Sequence, residues 1–329
     1  MEMNTLYVGD NVQILRKYYP DECVDLIYLD PPFGTGRIRK ISTNHLNQNT
    51  ELSFSDVFTW NNQIENLFNF LIYNDSRLIN TLSAILLILG KTPSMAYIIV
   101  LTNILCELHR ILKPTGSIYL HCDYHSNTYL KIILDSLFGN FNFRNEIVWH
   151  YTGGGRSKKY YSRKYDSIFF YTKSDEYTFN IEAIRTPYKP TSGYAKNGIK
   201  SKSGKKYLPN PAGTLLDDVW EIPIVNPMSH ERVSYPTQKP QLLLERIILV
   251  STNFNDIVLD PFCGCGTTLV SAHKQGRKWI GIDCLKKAVD LSRKRLSETG
   301  CDTIKVVNTI LSEEPVSVRK YQLENIAKS

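Results

Sequence analysis

Leu259-Asp-Pro-Phe-Cys-Gly-Cys-Gly-Thr-Thr268 follows a short apolar run, residues 257–259, and opens a segment with helical periodicity. Gly264 and Gly266 carry no Cβ, so the backbone there can approach a ligand closely. Nineteen residues past Gly264, at the end of the next apolar run (279–282), stands Asp283. A carboxylate in that place can accept both hydroxyls of a ribose. The turn alone would fit an ordinary tight loop. The turn, its strand-helix context and the spaced acid together read as a β-α-β unit for a nucleoside cofactor. GCGTT lacks the third glycine of the dinucleotide fingerprint, which disfavours a nucleotide oxidoreductase.

The same alternation extends outward. Residues 6–8, 24–29, 116–120, 147–151 and 167–172 read as strands. Leu101, Ile104, Leu105, Leu108, Ile111 and Leu112 recur at helical spacing, ended by Pro114 and Gly116. Ser126 is placed to cap a helix that Gly139 stops, and 241–250 reads as another. Helices are also expected from about Thr268 and through Arg295. Strands alternating with helices imply an α/β fold, a mostly parallel sheet covered on both faces. Residues 34–62, rich in Asn, Ser and Thr, read as a mobile loop.

With 329 residues, 42% hydrophobic and 22% charged, the chain can form one large globular domain with insertions. Its seven cysteines include no CxxC pair, and no His stands in a ligand pattern. Free thiols and no metal site are expected. The N-terminus lacks a signal-peptide pattern. The most apolar stretch, 82–105, is broken by Gly90-Lys-Thr-Pro93 and reads as two packed helices, not a membrane span.

A second motif, Asp30-Pro31-Pro32-Phe33, ends the strand at 24–29. Two prolines fix φ, so the Asp30 carboxylate and the Pro31 carbonyl are held in place ahead of any ligand. Two such acceptors beside an aromatic face suit an amino group on a flat ring. Taken alone, the tetrapeptide would fit an acid that ends a strand and caps a turn.

A third motif, Tyr235-Pro-Thr-Gln-Lys-Pro240, lies between the other two. The chain resembles the β class of prokaryotic DNA amino-methyltransferases. There DPPF, a recognition segment, TQKP and the FxGxG loop occur in this order, and the cofactor half follows the catalytic half. The resemblance covers about residues 6–295. It implies a Rossmann-like sheet with one antiparallel strand, a circularly permuted motif order and an inserted recognition region.

The resemblance also implies S-adenosylmethionine as cofactor and double-stranded DNA as substrate, with adenine N6 or cytosine N4 as the acceptor. It makes Asp30, Pro31, Pro32 and Phe33 the catalytic motif. Asp10, Asp30, Thr237, Lys239, Asp260, Phe262, Gly264, Gly266, Thr267 and Asp283 would bind the cofactor. Asp rather than Ser at position 30 leans toward adenine. Phe33, where Tyr is commonest, still stacks. C5-cytosine transfer is disfavoured, since no Pro-Cys dipeptide supplies its nucleophile.

The expected division is a catalytic half (1–176, with an insertion at 34–95), a recognition region (177–232), a cofactor half (233–300) and a tail (301–329). A cytoplasmic enzyme of prokaryotic or phage origin is implied, as monomer or homodimer, with a cognate restriction endonuclease as candidate partner. A non-catalytic DNA-binding subunit of the same fold is the alternative of a different class.

Charge is localised. Residues 151–210 hold thirteen Lys and Arg against four Asp and Glu, an excess of nine, above the +7 of the whole chain. Tyrosines interleave with them. Basic side chains suit phosphates, and aromatic rings suit bases. Arg156, Lys158, Lys159, Arg163 and Lys164 are the expected DNA contacts, with Gly153-Gly154-Gly155 as a hinge. His109, His121, His125, His150 and His230 fall in no catalytic pattern, and structural roles are expected of them.

Overall fold

The computed structural model describes residues 2–34, 38–41, 52–55, 57–153, 155–233 and 235–309. Gly154 of the expected hinge, most of 35–51 and the tail from 310 lie outside the described residues.

Among the described residues nine strands form the main sheet: β1 (Thr5–Val8), β2 (Val24–Leu29), β3 (Leu112–Cys122), β4 (Phe143–His150), β5 (Tyr165–Thr172), β6 (Val219–Glu221), β7 (Ile257–Asp260), β8 (Lys278–Asp283) and β9 (Lys305–Asn308). Their spatial order is β6-β4-β5-β3-β2-β7-β8-β1-β9. Only β5 runs antiparallel, against both β3 and β4. The expected Rossmann-like, mostly parallel sheet with one antiparallel strand is present. β2 and β7, far apart in sequence, are neighbours: Leu26 pairs with Val258 and Ile27 with Leu259. That adjacency brings the two halves of a permuted motif order to one place.

Helices cover both faces. Asn11–Tyr18 (α1), Asn62–Asn74 (α2), Ile79–Leu89 (α3), Pro93–Ile111 (α4) and Asn127–Phe138 (α5) pack on one side. Gln241–Ser251 (α6), Thr267–Lys274 (α7) and Lys286–Glu298 (α8) pack on the other. With both faces covered, β2, VDLIYL, is buried at every position but the half-buried Asp25 and shows no in-out alternation. α4 has the length and apolarity of a membrane span, yet most of it is buried in this core, as the turn at Gly90–Pro93 implies.

Some expectations need correction. β3 begins at Leu112, immediately after α4, and runs through Pro114 and Gly116; the sequence had suggested a strand from 116. The Leu112–Val24 pairing and an irregular register before Leu26 accommodate a proline that cannot donate to the ladder. Ser126 stands at the N-cap of α5, but its side chain makes no capping hydrogen bond. The segment read as a loop contains an antiparallel ribbon, Ile38–Ile41 with Leu52–Ser55. The segment read as a tail begins with edge strand β9, paired to β1.

Candidate active site

Four carboxylates stand where four adjacent parallel strands end. Asp30 follows β2, Asp260 ends β7, Asp283 ends β8, and Asp10 lies two residues past β1. The carboxyl edge of such a sheet, at the point where strand order reverses, is where α/β folds bind ligands. A cavity here is lined by Asp10, Asp30, Pro31, Pro32, Phe33, Thr237, Lys239, Asp260, Phe262, Gly264, Thr267 and Asp283. The fold therefore gathers the DPPF, TQKP and glycine-loop residues around one space.

The glycine loop is built by short local bonds. Gly266 N donates to Cys263 O (2.7 Å), and Cys263 N donates to Ile282 O (3.0 Å), which ties the loop to β8. Gly264 and Gly266 both have positive φ, +50° and +76°. A Cβ on Gly264 would stand 3.2 Å from the Tyr235 ring, and one on Gly266 would stand 2.7 Å from Ser292 Oγ. Asp283 fastens the loop: Oδ2 accepts from Gly264 N (3.0 Å) and Oδ1 from Leu285 N (2.8 Å). Asp260 accepts from Phe262 N (2.9 Å) and Thr268 Oγ1 (2.6 Å). Burial pushes the Asp260 carboxyl up to about 7, against the pull of those two bonds. Burial likewise pushes Asp283 up to about 6. Asp10 caps α1, accepting from Gln13 N (2.9 Å).

On the other side of the cavity Lys239 forms an ion pair with Asp30, and its ammonium stands 5.7 Å from the Phe33 ring centre. One Asp30 oxygen thus faces a fixed cation, close to where a stacked base would lie. Gln238 stiffens the segment that carries Lys239: its amide donates to Glu231 O (2.6 Å) and accepts from Val233 N (2.8 Å).

Beneath Phe33 lies His121, fully buried, with ring centres 5.9 Å apart. His121 meets the Tyr28 hydroxyl at Nδ1 (2.9 Å) and Asp166 at Nε2 (3.1 Å). Burial would raise the Asp166 carboxyl, but its bond to His121 and the charges of His121 and Lys239 bring it below its ordinary value. The expected structural role for His121 is thus a specific one, a fixed floor under the DPPF aromatic ring.

Several residues here have no place in the three motifs. Asn11 donates to Pro261 O (3.4 Å). Ser292 donates to Gly264 O (2.8 Å), and Arg295 donates to Cys265 O (2.7 Å) and Thr267 Oγ1 (3.1 Å). Ser292 and Arg295 share the buried face of α8 with Ala288, Val289 and Leu296. A polar pair on an otherwise apolar helical stripe was the available signal.

Arg156, Lys158, Lys159 and Arg163 are exposed, and Lys164 bonds to the carbonyls of Gly153 and Gly155. They lie on the connection from β4 to β5, whose ends pair at His150 and Tyr165, beside Asp166. That connection is therefore at the same edge as Asp30. The Lys/Arg-rich arm between Arg185 and Leu215 leaves from the far end of β5 and is built on two short ribbons. All seven cysteines are free, and among the described residues no group of His, Cys, Asp and Glu is placed to hold a metal.

Comparison with known proteins agrees with this geometry. The DNA methylase profile of the N6/N4 type matches residues 24–294. "DNA adenine methyltransferase YhdJ" of Escherichia coli is 30% identical over 99% of this chain and 91% of its own length. "Type II methyltransferase M.HpaI" of Haemophilus parainfluenzae is 30% identical over 92% and 78%. Among solved structures, a PvuII DNA methyltransferase described as cytosine-N4-specific aligns with TM-score 0.55 and 14% identity, covering 97% of this chain and 92% of that one. The chain belongs to the N6-adenine/N4-cytosine DNA methyltransferase family. Its substrate class is DNA, and its relatives include the type II modification enzymes.

Proposed function

We propose that this enzyme transfers a methyl group from S-adenosylmethionine to the N6 amino group of adenine, at a specific sequence in double-stranded DNA. The observation that carries the reading is the row of Asp10, Asp30, Asp260 and Asp283 at four adjacent strand ends, with the glycine loop between them. The residues suit the cofactor. Gly264 lines a cradle where a Cβ would crowd Tyr235, Gly266 lets that loop pack on Ser292 of α8 behind it, and Asp283 presents a carboxylate for ribose hydroxyls. Asp10, Phe262, Thr267, Thr237 and Lys239 complete the walls. The cofactor supplies an electrophilic methyl on a sulfonium.

The chain's own residues do the rest. An exocyclic amine is a weak nucleophile because its lone pair is delocalised into the ring. Asp30 accepts one amine hydrogen and the Pro31 carbonyl the other, which favours a pyramidal nitrogen with its lone pair available. Pro31 and Pro32 hold those acceptors in advance, and Phe33, resting on His121, stacks the base. The base leaves the duplex first, at a cost of about a few kcal/mol. Adenine is supported by aspartate at position 30 and by the adenine activity for which the Escherichia coli relative is named. Cytosine N4 presents the same geometry and is the second reading.

We assign sequence reading mainly to residues 177–232, between a catalytic half at 1–176 and a cofactor half at 233–300. A restriction endonuclease partner is supported by the type II relatives. Incubation of unmethylated mixed-sequence DNA with methyl-labelled S-adenosylmethionine should place label in DNA. No label in DNA would overturn the reading.

Two further outcomes are expected. Cofactor affinity should rise with pH through about 6, because ribose hydroxyls donate to ionised Asp283 and burial has raised its protonation to that range. Calorimetric titration from about pH 5 to about pH 8 checks this. Asp283→Asn should bind weakly and with a flatter profile. Separately, replacing Lys158, Lys159 and Arg156 together with Ala should weaken DNA binding and lower the salt slope by about 0.9 per lost phosphate contact. An unchanged slope would remove the loop from the interface.

A further inference from the structure

One exposed cation at the catalytic edge is held in an unusual way. The Arg163 guanidinium carbon lies 3.8 Å from the ring centre of Tyr124 and 4.7 Å from that of Tyr160. Both rings are about half exposed or more, 47% and 60%. Among the described residues, no carboxylate or other hydrogen-bond partner meets its five donors. The holder is rigid. Tyr124 packs on His125 at 3.9 Å, and His125 is fixed by Asp123 through its backbone N (3.0 Å) and Nδ1 (2.5 Å). The loop closes on itself, with Ser157 N donating to Ser162 Oγ (3.0 Å). Tyr124 lies three residues past His121, the floor under Phe33.

Stacking on aromatic faces leaves a guanidinium's edge open, and that planar fork matches a phosphate. A merely solvated arginine would need neither ring. We propose that Arg163, stacked by Tyr124 and Tyr160, is a clamp for one DNA phosphodiester next to the flipped nucleotide. It fixes the backbone as the base enters the pocket. The clamp rests on the proposed DNA methylation and adds a residue-to-phosphate assignment to it.

The test is binding to duplex DNA, read in two ways. On mixed-sequence duplex, Arg163→Ala should lower the salt slope by about 0.9, one phosphate contact. Tyr124→Ala should reproduce much of that loss, and Tyr124→Phe should not. On a duplex carrying the methylated site, uncharged methylphosphonate is placed at each phosphate around the target in turn. Wild type should lose about tenfold or more at one position, and Arg163→Ala should be indifferent at that position alone. The clamp is overturned if the slope is unchanged. It is also overturned if Arg163→Ala keeps the wild-type pattern at every phosphate, or if Tyr124→Ala binds as wild type while Arg163→Ala does not. Label incorporation into DNA by wild type reports the methylation reading separately, so failure of one is distinguishable from failure of the other.

Discussion

Asp30→Ala is expected to lower methyl transfer to DNA by about 10²–10³-fold or more, while S-adenosylmethionine binding changes by less than about tenfold. In the proposed mechanism the carboxylate is the acceptor that makes the amine nucleophilic, and its loss removes an interaction needed in the transition state. Lys239 sharpens the expectation. With Asp30 gone, its ammonium stands largely enclosed beside Phe33 without its partner. Such an orphaned cation adds a stability cost, so thermal melting should fall together with turnover. Asp30→Asn keeps the shape and one acceptor but loses the charge, and should fall between Ala and wild type. Single-turnover transfer, with calorimetric binding alongside, separates chemistry from cofactor affinity. An Asp30→Ala enzyme with near-normal single-turnover rates would refute the catalytic assignment.

Gly266→Ala should have the second large effect, on cofactor binding and stability together. The φ of +76° costs an L side chain about 1–2 kcal/mol. The new methyl would also stand 2.7 Å from Ser292 Oγ and 2.8 Å from its Cβ, against the backbone of α8. Relieving that overlap costs about 1–3 kcal/mol more. Ser292 itself holds the Gly264 carbonyl, so the strain passes directly into the loop. Cofactor affinity should drop about tenfold or more, with a thermal midpoint lower by several degrees. Gly155→Ala is the control, because a Cβ there meets open space. Equal effects at the two positions would contradict the cradle.

What could be read from the sequence has a physical pattern. β2 and β7 were legible because both are short apolar runs stopped by Asp-Pro, and buried strands need no partner information to be seen. Asp30 was legible because it stands at such a stop, Gly264 because it lies in the glycine turn just past one, and Asp283 because it ends the next apolar run. The adjacency of β2 and β7 was not contained in either run and came only through the resemblance in motif order. The residues that hold the site from behind were harder. Arg295 and Ser292 reach from α8 to the glycine loop, and His121 acts through Tyr28 and Asp166. Their roles depend on contacts between distant segments, which local pattern does not encode. The β9 strand and the ribbon at 38–41 were missed for a related reason. Each is short, and each gains its pairing from a partner strand and not from its own composition.

The pKa shifts at the site follow from the same architecture. Carboxylates at the ends of buried strands are withdrawn from water, so Asp260 and Asp283 titrate well above ordinary carboxylates. In the proposed complex, ribose hydroxyls that favour ionised Asp283 couple cofactor binding to pH near about 6.

Transfer to adenine N6 is put to the test by mass analysis of nucleosides. Unmethylated mixed-sequence DNA is incubated with the protein and S-adenosylmethionine, digested, and its nucleosides are weighed against the Asp30→Ala control. N6-methyldeoxyadenosine is expected with wild type and none with the variant. N4-methyldeoxycytidine in its place would contradict the use of Asp30 to choose the base, and no methylated nucleoside at all would contradict the reading of this site as a DNA-modifying one.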